Sequence, residues 1–142
     1  GISLENARQL VDFPVLGLTE LGAPQGVEVS PDRRLLAQTW TGTGTGGKTI
    51  RLDQFDGTLD YVFAKTAPEV EWTTVSGVTA LWFNRPHEVS ILAPDGRSRT
   101  ETARLAGKTL IWEHQGTVLR LEGDFTRARA EQIAASAEAA SP

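Results

Sequence analysis

Arg104-Leu-Ala-Gly-Lys-Thr-Leu-Ile-Trp-Glu-His-Gln-Gly-Thr-Val-Leu-Arg-Leu-Glu-Gly-Asp-Phe-Thr-Arg127 decides the fold class. Leu110 to Glu113 and Val118 to Leu121 are rich in strand-forming residues, and Gln115-Gly116 between them is a tight-turn signal. Thr126 then caps a closing helix, on which Ala130, Ile133, Ala134 and Ala137 form a narrow apolar stripe. Ile133 is its anchor, and the tail after Ala137 is expected to fray.

Working outward, the same punctuation recurs upstream. Strands are expected at Gly26–Ser30, Arg34–Trp40, Thr49–Phe55, Val70–Val75, Ala80–Phe83, Glu88–Leu92 and Thr100–Leu105. Leu59–Phe63 reads as a further strand or a helical turn. Pro31-Asp32-Arg33, Ser76-Gly77, Asn84-Arg85-Pro86 and Pro94-Asp95-Gly96 read as turns, and Asp56-Gly57 as a hairpin-type turn. Ser3 caps a first helix that stops near Asp12, because Pro14 disfavours helical Phe13. Val15 to Pro31 reads largely as an extended connection crossing the surface. Runs of strands with the helices kept to the ends predict an α+β protein: a curved antiparallel sheet of about six to eight short strands packed by an N-terminal and a C-terminal helix. One domain over residues 1–142 suits the length of 142 residues.

Composition narrows the function classes. The chain is 39% hydrophobic and 23% charged, with a net charge of −4. This is a globular balance without the basic excess of a nucleic-acid surface. Arg97, Arg99 and Arg104, and again Arg127 and Arg129, read as solvated faces. Cys is absent, which removes disulfides, zinc–thiolate sites and thiol catalysis. Met is absent even at position 1, so the chain is expected to begin inside a longer product or at a cut.

Gly42-Thr-Gly-Thr-Gly-Gly-Lys-Thr49 matches the P-loop pattern. That pattern works when its backbone N–H groups meet phosphate at the start of a helix. Here a short strand-like segment follows, so the match reads as coincidence, in a Gly/Thr loop spanning 41–47. His87-Glu88 and Glu113-His114 each set a His beside a carboxylate, but neighbours on a strand point to opposite faces. No metal site, cofactor or catalytic group is therefore assigned. Glu113 and Glu122 flank one hairpin on expected solvent faces, and Asp53, Asp56 and Asp60 read as a solvated edge without the spacing of a calcium loop. Trp40, Trp72, Trp82 and Trp112 all fall in strands. They read first as core, and otherwise as a candidate surface for a ligand or partner.

Ser3-Leu-Glu-Asn-Ala7 with Phe13-Pro14, Val75-Ser-Gly-Val-Thr-Ala-Leu-Trp82 with Pro86-His87-Glu88, Arg104 to Glu113, Leu119-Arg-Leu-Glu-Gly123 and the Ala130–Ser136 helix together resemble the DUF4367-like extracytoplasmic domains of actinobacterial and related membrane proteins. The resemblance covers nearly the whole chain and is weak between Gly42 and Ala67. It implies a non-catalytic sensory or protein-interaction domain, anti-sigma-factor-like, held at the cell membrane by an upstream anchor and answering to a protein partner or envelope signal. The alternative is a carrier cradling a lipid or other hydrophobic ligand on a curved sheet, as periplasmic domains of lipoprotein-sorting and sigma-regulator proteins do.

Overall fold

The hairpin expected around Gln115-Gly116 is the centre of the molecule. Gln115 (φ 46°) and Gly116 (φ 79°) both lie in the left-handed region, which a two-residue hairpin turn requires and glycine adopts without strain. The strands it joins are longer than expected, pairing from His114 with Thr117 to Lys108 with Gly123.

The computed structural model describes residues 2–41, 48–60, 62, 67, 69–105 and 107–140. In chain order the elements are α1 (Leu4–Leu10), β1 (Leu16–Leu18), β2 (Gly26–Val29), β3 (Leu35–Trp40), β4 (Ile50–Asp56), β5 (Thr58–Leu59), β6 (Glu71–Val75), β7 (Val78–Phe83), β8 (Val89–Leu92), β9 (Ser98–Glu101), β10 (Lys108–His114), β11 (Thr117–Gly123), α2 (Arg127–Ala135) and β12 (Ala137–Ala139). The class is α+β with a helix toward each end. The twelve strands among the described residues exceed the six to eight expected. They form an antiparallel sheet in the order β2-β3-β4-β11-β10-β7-β6, a three-stranded sheet β5-β8-β9 and a separate pair β1-β12.

Strand alternation sorts these pieces into layers. One face of the large sheet carries Leu52, Ala80, Trp82, Leu110, Trp112, Leu119 and Leu121, packed under Leu16, Leu18, Ala130, Ile133 and Ala134. Alpha1 joins this face at its β2–β3 end, where Ala7 and Val11 meet Val27 and Leu36. The other face carries Leu35, Phe55, Leu81, Phe83, Ile111 and Val118, covered by Leu59, Val89 and Ile91 of the small sheet. Beta11 lies in the middle of the large sheet with both faces covered, and all seven of its residues are buried. Ile133 anchors α2 as expected. Complete burial of such a side chain contributes about 1.5–3 kcal/mol.

Several local expectations are corrected. Val15 to Pro31 does not simply cross the surface: Leu16 and Leu18 are buried in the main core. The C-terminal tail does not fray after Ala137, because β12 pairs with β1 from Leu16–Ala139 to Leu18–Ala137. Asp56-Gly57 is not a hairpin turn, since β4 and β5 belong to different sheets. Gly57 (φ 135°) lets the chain step between them, and a Cβ there would overlap the Leu92 carbonyl oxygen. Beta9 ends at Glu101, earlier than the expected Leu105. The possible strand at 59–63 falls partly on residues 61 and 63, outside the described set, as does the Gly/Thr loop from 42 to 47.

Candidate functional site

Among the described residues β1 has one strand partner, β12, and two glutamines on the sheet beneath it add to its hydrogen bonding. Gln38 and Gln54 occupy strand positions in phase with Leu36 and Trp40, and with Ile50 and Leu52, so they point at β1 rather than at the small sheet. Gln38 Nε2 donates to the Leu16 carbonyl at 2.8 Å, and Leu16 N–H donates to Gln54 Oε1 at 3.2 Å. Gln54 Nε2 donates in turn to the Pro14 carbonyl at 2.9 Å and to Thr117 Oγ1 at 3.1 Å. Two buried amides thus stand in for a missing strand, a requirement for any backbone taken out of water. Gln38 Oε1 alone among these amide atoms is buried without a hydrogen-bond donor.

A pocket of about 590 Å³ opens beside this arrangement. Its walls are the start of α1 (Ile2, Ser3, Leu4), the β1 end Gly17-Leu18-Thr19, the loop Gly22–Gln25 and the β12 end Glu138–Ala140, over Val27 and Gln38. The loop wall is tied back at both ends. Leu21 and Gly22 N–H donate to the Leu18 carbonyl, Trp40 Nε1 donates to the Gly22 carbonyl at 2.9 Å, and Gln25 N–H donates to the Thr39 carbonyl. Gly17 leaves the wall thin, because a Cβ there would meet only the Ala140 Cα at 4.0 Å. The volume lies within the range of small-molecule sites, and the lining is mainly aliphatic.

The four tryptophans do not form a common surface. Trp40, Trp82 and Trp112 are buried in the core on the α2 side of the sheet, while Trp72 on β6 is 46% exposed. Trp82 packs near Phe125 with ring centroids 6.2 Å apart. Trp40 touches the candidate site only through the bond that holds its loop wall.

The charged residues singled out from the sequence take other places. Asp53 and Glu122 are buried rather than solvated. Arg120, fully buried, donates to Asp53 Oδ2 at 2.7 Å and to the Glu101 carbonyl at 2.7 Å, and lies 5.6 Å from the Phe55 ring centre. Arg51 pairs with the other Asp53 oxygen at 2.8 Å. Glu122 Oε2 accepts from Arg104 and Leu105 N–H at 2.9 and 3.1 Å, tying the segment after β9 onto the sheet. Burial raises the Glu122 pKa, against the opposing pull of Arg120 and these two N–H groups. Glu113 stands near the opposite end of the hairpin, paired with Val118 in register where Glu122 pairs with Thr109, and accepts from Leu59 N–H. The two carboxylates therefore do not form an acid–base pair. His87 stacks on Phe83 at 3.7 Å, bonds the Glu88 carbonyl through Nδ1, and has its pKa lowered chiefly by burial.

Lys48 pairs with Asp124, and Thr49 leads into the strand β4. The helix that a phosphate loop requires does not follow the motif. Among the described residues no three His, Asp or Glu side chains gather around a common point for a metal ion, and no helix is long and apolar enough to cross a membrane. The arginines noted in the sequence are engaged with carboxylates: Arg99 with Asp32 and Glu101, Arg127 with Glu71 and Glu131, and Arg129 with Glu20. No family model matches the chain, and none of the curated proteins or solved structures matches it.

Sequence reasoning missed the pocket. The usable signal was a polar residue at the apolar phase of an otherwise buried strand, Leu36-x-Gln38-x-Trp40, together with the small Gly17 between Leu16 and Leu18. A buried amide of that kind needs a partner that is not its own sheet.

Proposed function

We propose that this chain is a non-catalytic sensory or protein-interaction domain of a membrane-anchored, extracytoplasmic bacterial protein, of the DUF4367-like and anti-sigma-factor-like kind, and that the pocket beside β1 and β12 is its sensing element. The observation that carries the reading is the placement of that pocket. Its walls come from the first and last elements described, so an occupant would bear at once on α1, on β1 and on β12, which follows α2 after a single residue. A ligand that binds one arrangement of these walls better than another shifts the balance between them by its differential affinity. Such a site can report occupancy to a partner without chemistry of its own.

The carrier reading draws on the same pocket and not on the tryptophans, three of which are buried. Identification of the upstream reading frame separates the two. A cytoplasmic module followed by one membrane span supports the sensor, and a secretion signal ending in a lipidated Cys supports the carrier. The pocket itself is tested with a neutral apolar dye such as Nile red. Saturable binding is expected, and Gly17→Phe, which places a ring into the pocket from a position with free space, should abolish it. Ala23→Phe, at an exposed position of the loop wall, is a second block that does not touch the core. Absence of saturable binding, or binding indifferent to both variants in folded protein, rules the pocket out as the sensing element.

A further inference from the structure

Beside the hydroxyls of Ser3 and Thr19 and the amide of Gln25, two groups in the pocket lining stand out, Glu138 and Gln38. Among the described residues of its lining, Glu138 is the one ionisable side chain, with no Lys, Arg or His. Among the described residues the Glu138 side chain has neither an ion pair nor a hydrogen bond, whereas nearby Glu20 is held by Arg129 at 2.7 Å. At the floor, Gln38 is turned by its Nε2 bond to the Leu16 carbonyl, so the amide cannot flip without forfeiting that bond. Its Oε1 is the acceptor left without a donor. The rim thus offers a carboxylate and the floor a carbonyl oxygen. A cationic N–H donor is matched by either.

We infer that the pocket takes a small amphiphile with a protonated amine head: its apolar body lies against Leu4, Val27 and Ala140, and its ammonium group faces Glu138. This rests on the pocket being the ligand site, as proposed above. Glu138 is exposed at the rim, so the charge term is modest. Selectivity is therefore expected as a preference among ligands with the same chain.

Isothermal titration calorimetry with decylammonium, decanol and decanoate, each below its micelle concentration, tests this on the full chain at low salt. Decylammonium should bind roughly fivefold tighter than decanoate, with decanol between them. In Glu138→Gln the three should fall within about twofold of one another, and Glu138→Lys should reverse their order. Raising the salt to about 0.5 M should compress the preference, since exposed charges are then screened over a few ångströms. Equal affinities, a preference for decanoate, or an amine preference that survives Glu138→Gln overturns the head-group assignment while leaving the pocket in place. Failure of all three to bind, or binding unchanged by Gly17→Phe and Ala23→Phe, overturns the pocket itself.

Discussion

Replacing Arg120 with Met should be among the most damaging single changes in the molecule, and the damage should depend on pH in a definite direction. Arg120 is fully buried beneath the segment that follows β9. Its guanidinium answers Asp53 directly, approaches Glu122 to 3.4 Å and holds the Glu101 carbonyl. Met keeps the length and the contact with Phe55 but leaves two buried carboxylates facing one another across β4 and β11. Removing one partner of a buried pair generally costs about 3–5 kcal/mol, because the other charge stays in place without compensation. Here Asp53 keeps Arg51 at 2.8 Å, and Glu122 keeps its two backbone donors, so the lower half of that range applies. With an m value near 2 kcal/mol/M, the urea midpoint at pH 7 should fall by roughly 1.5–2 M. Glu122 already has its pKa raised by burial, and without Arg120 it should rise further. Protonation then relieves part of the conflict, so the penalty should shrink between pH 7 and pH 4. A midpoint that moves by less than about 0.5 M, or a penalty that is the same at both pH values, would refute the idea that this cluster is a charge-balanced unit.

Three further outcomes are expected. Ile133→Asp places a carboxylate at a fully buried position of α2 and should lower the melting temperature by at least about 6–12 °C, corresponding to roughly 3 kcal/mol; an unchanged melt would mean that α2 does not dock as described. For Glu122 the sign follows from its raised pKa: its contribution is fully present below the unfolded-state value of 4.5 and is lost as pH rises through the higher folded-state value, so the stability of Glu122→Gln relative to the parent should improve from pH 4 to pH 7, and a flat or opposite trend in chemical denaturation would count against the burial described here. ATP or GTP with magnesium should leave thermal unfolding unchanged, since a strand follows Lys48-Thr49; a saturable shift lost in Lys48→Ala would restore the P-loop reading.

How much of this was readable from residues alone follows from where the ordering forces act. The hairpin of β10 and β11 was readable because its determinants are local: two runs of strand formers and a Gln-Gly turn that adopts positive φ at both residues. The α2 stripe was readable for the same reason at Ala130, Ile133 and Ala134, all buried, but Ala137, expected on the same helix, lies in β12. Beta1 and β12 were hidden because three residues carry no periodic signal, and their pairing joins segments more than 100 residues apart. The charged centre was hidden because a polar residue is ordinarily a surface residue. Asp53 and Glu122 are exceptions created by one arginine between them, a relation that register reveals and sequence spacing does not.

The same distinction explains why the candidate site is beside the β1–β12 pair and not on the sheet. A large sheet with a small sheet on one face and helices on the other has little apolar surface left to offer a ligand. Trp40, Trp82 and Trp112 serve that packing. Space opens where regular structure runs short: at β1, whose inner edge meets two glutamine side chains in place of a strand, and at Gly17, which supplies no side chain to fill the gap. Gln38 bonds β1 with one amide atom and leaves the other without a donor. A strand in its place would have closed the layer and the pocket together. The irregularity that holds the β1–β12 pair is therefore also what leaves room beside it, which is why a ligand there and the order of that pair should respond to one another.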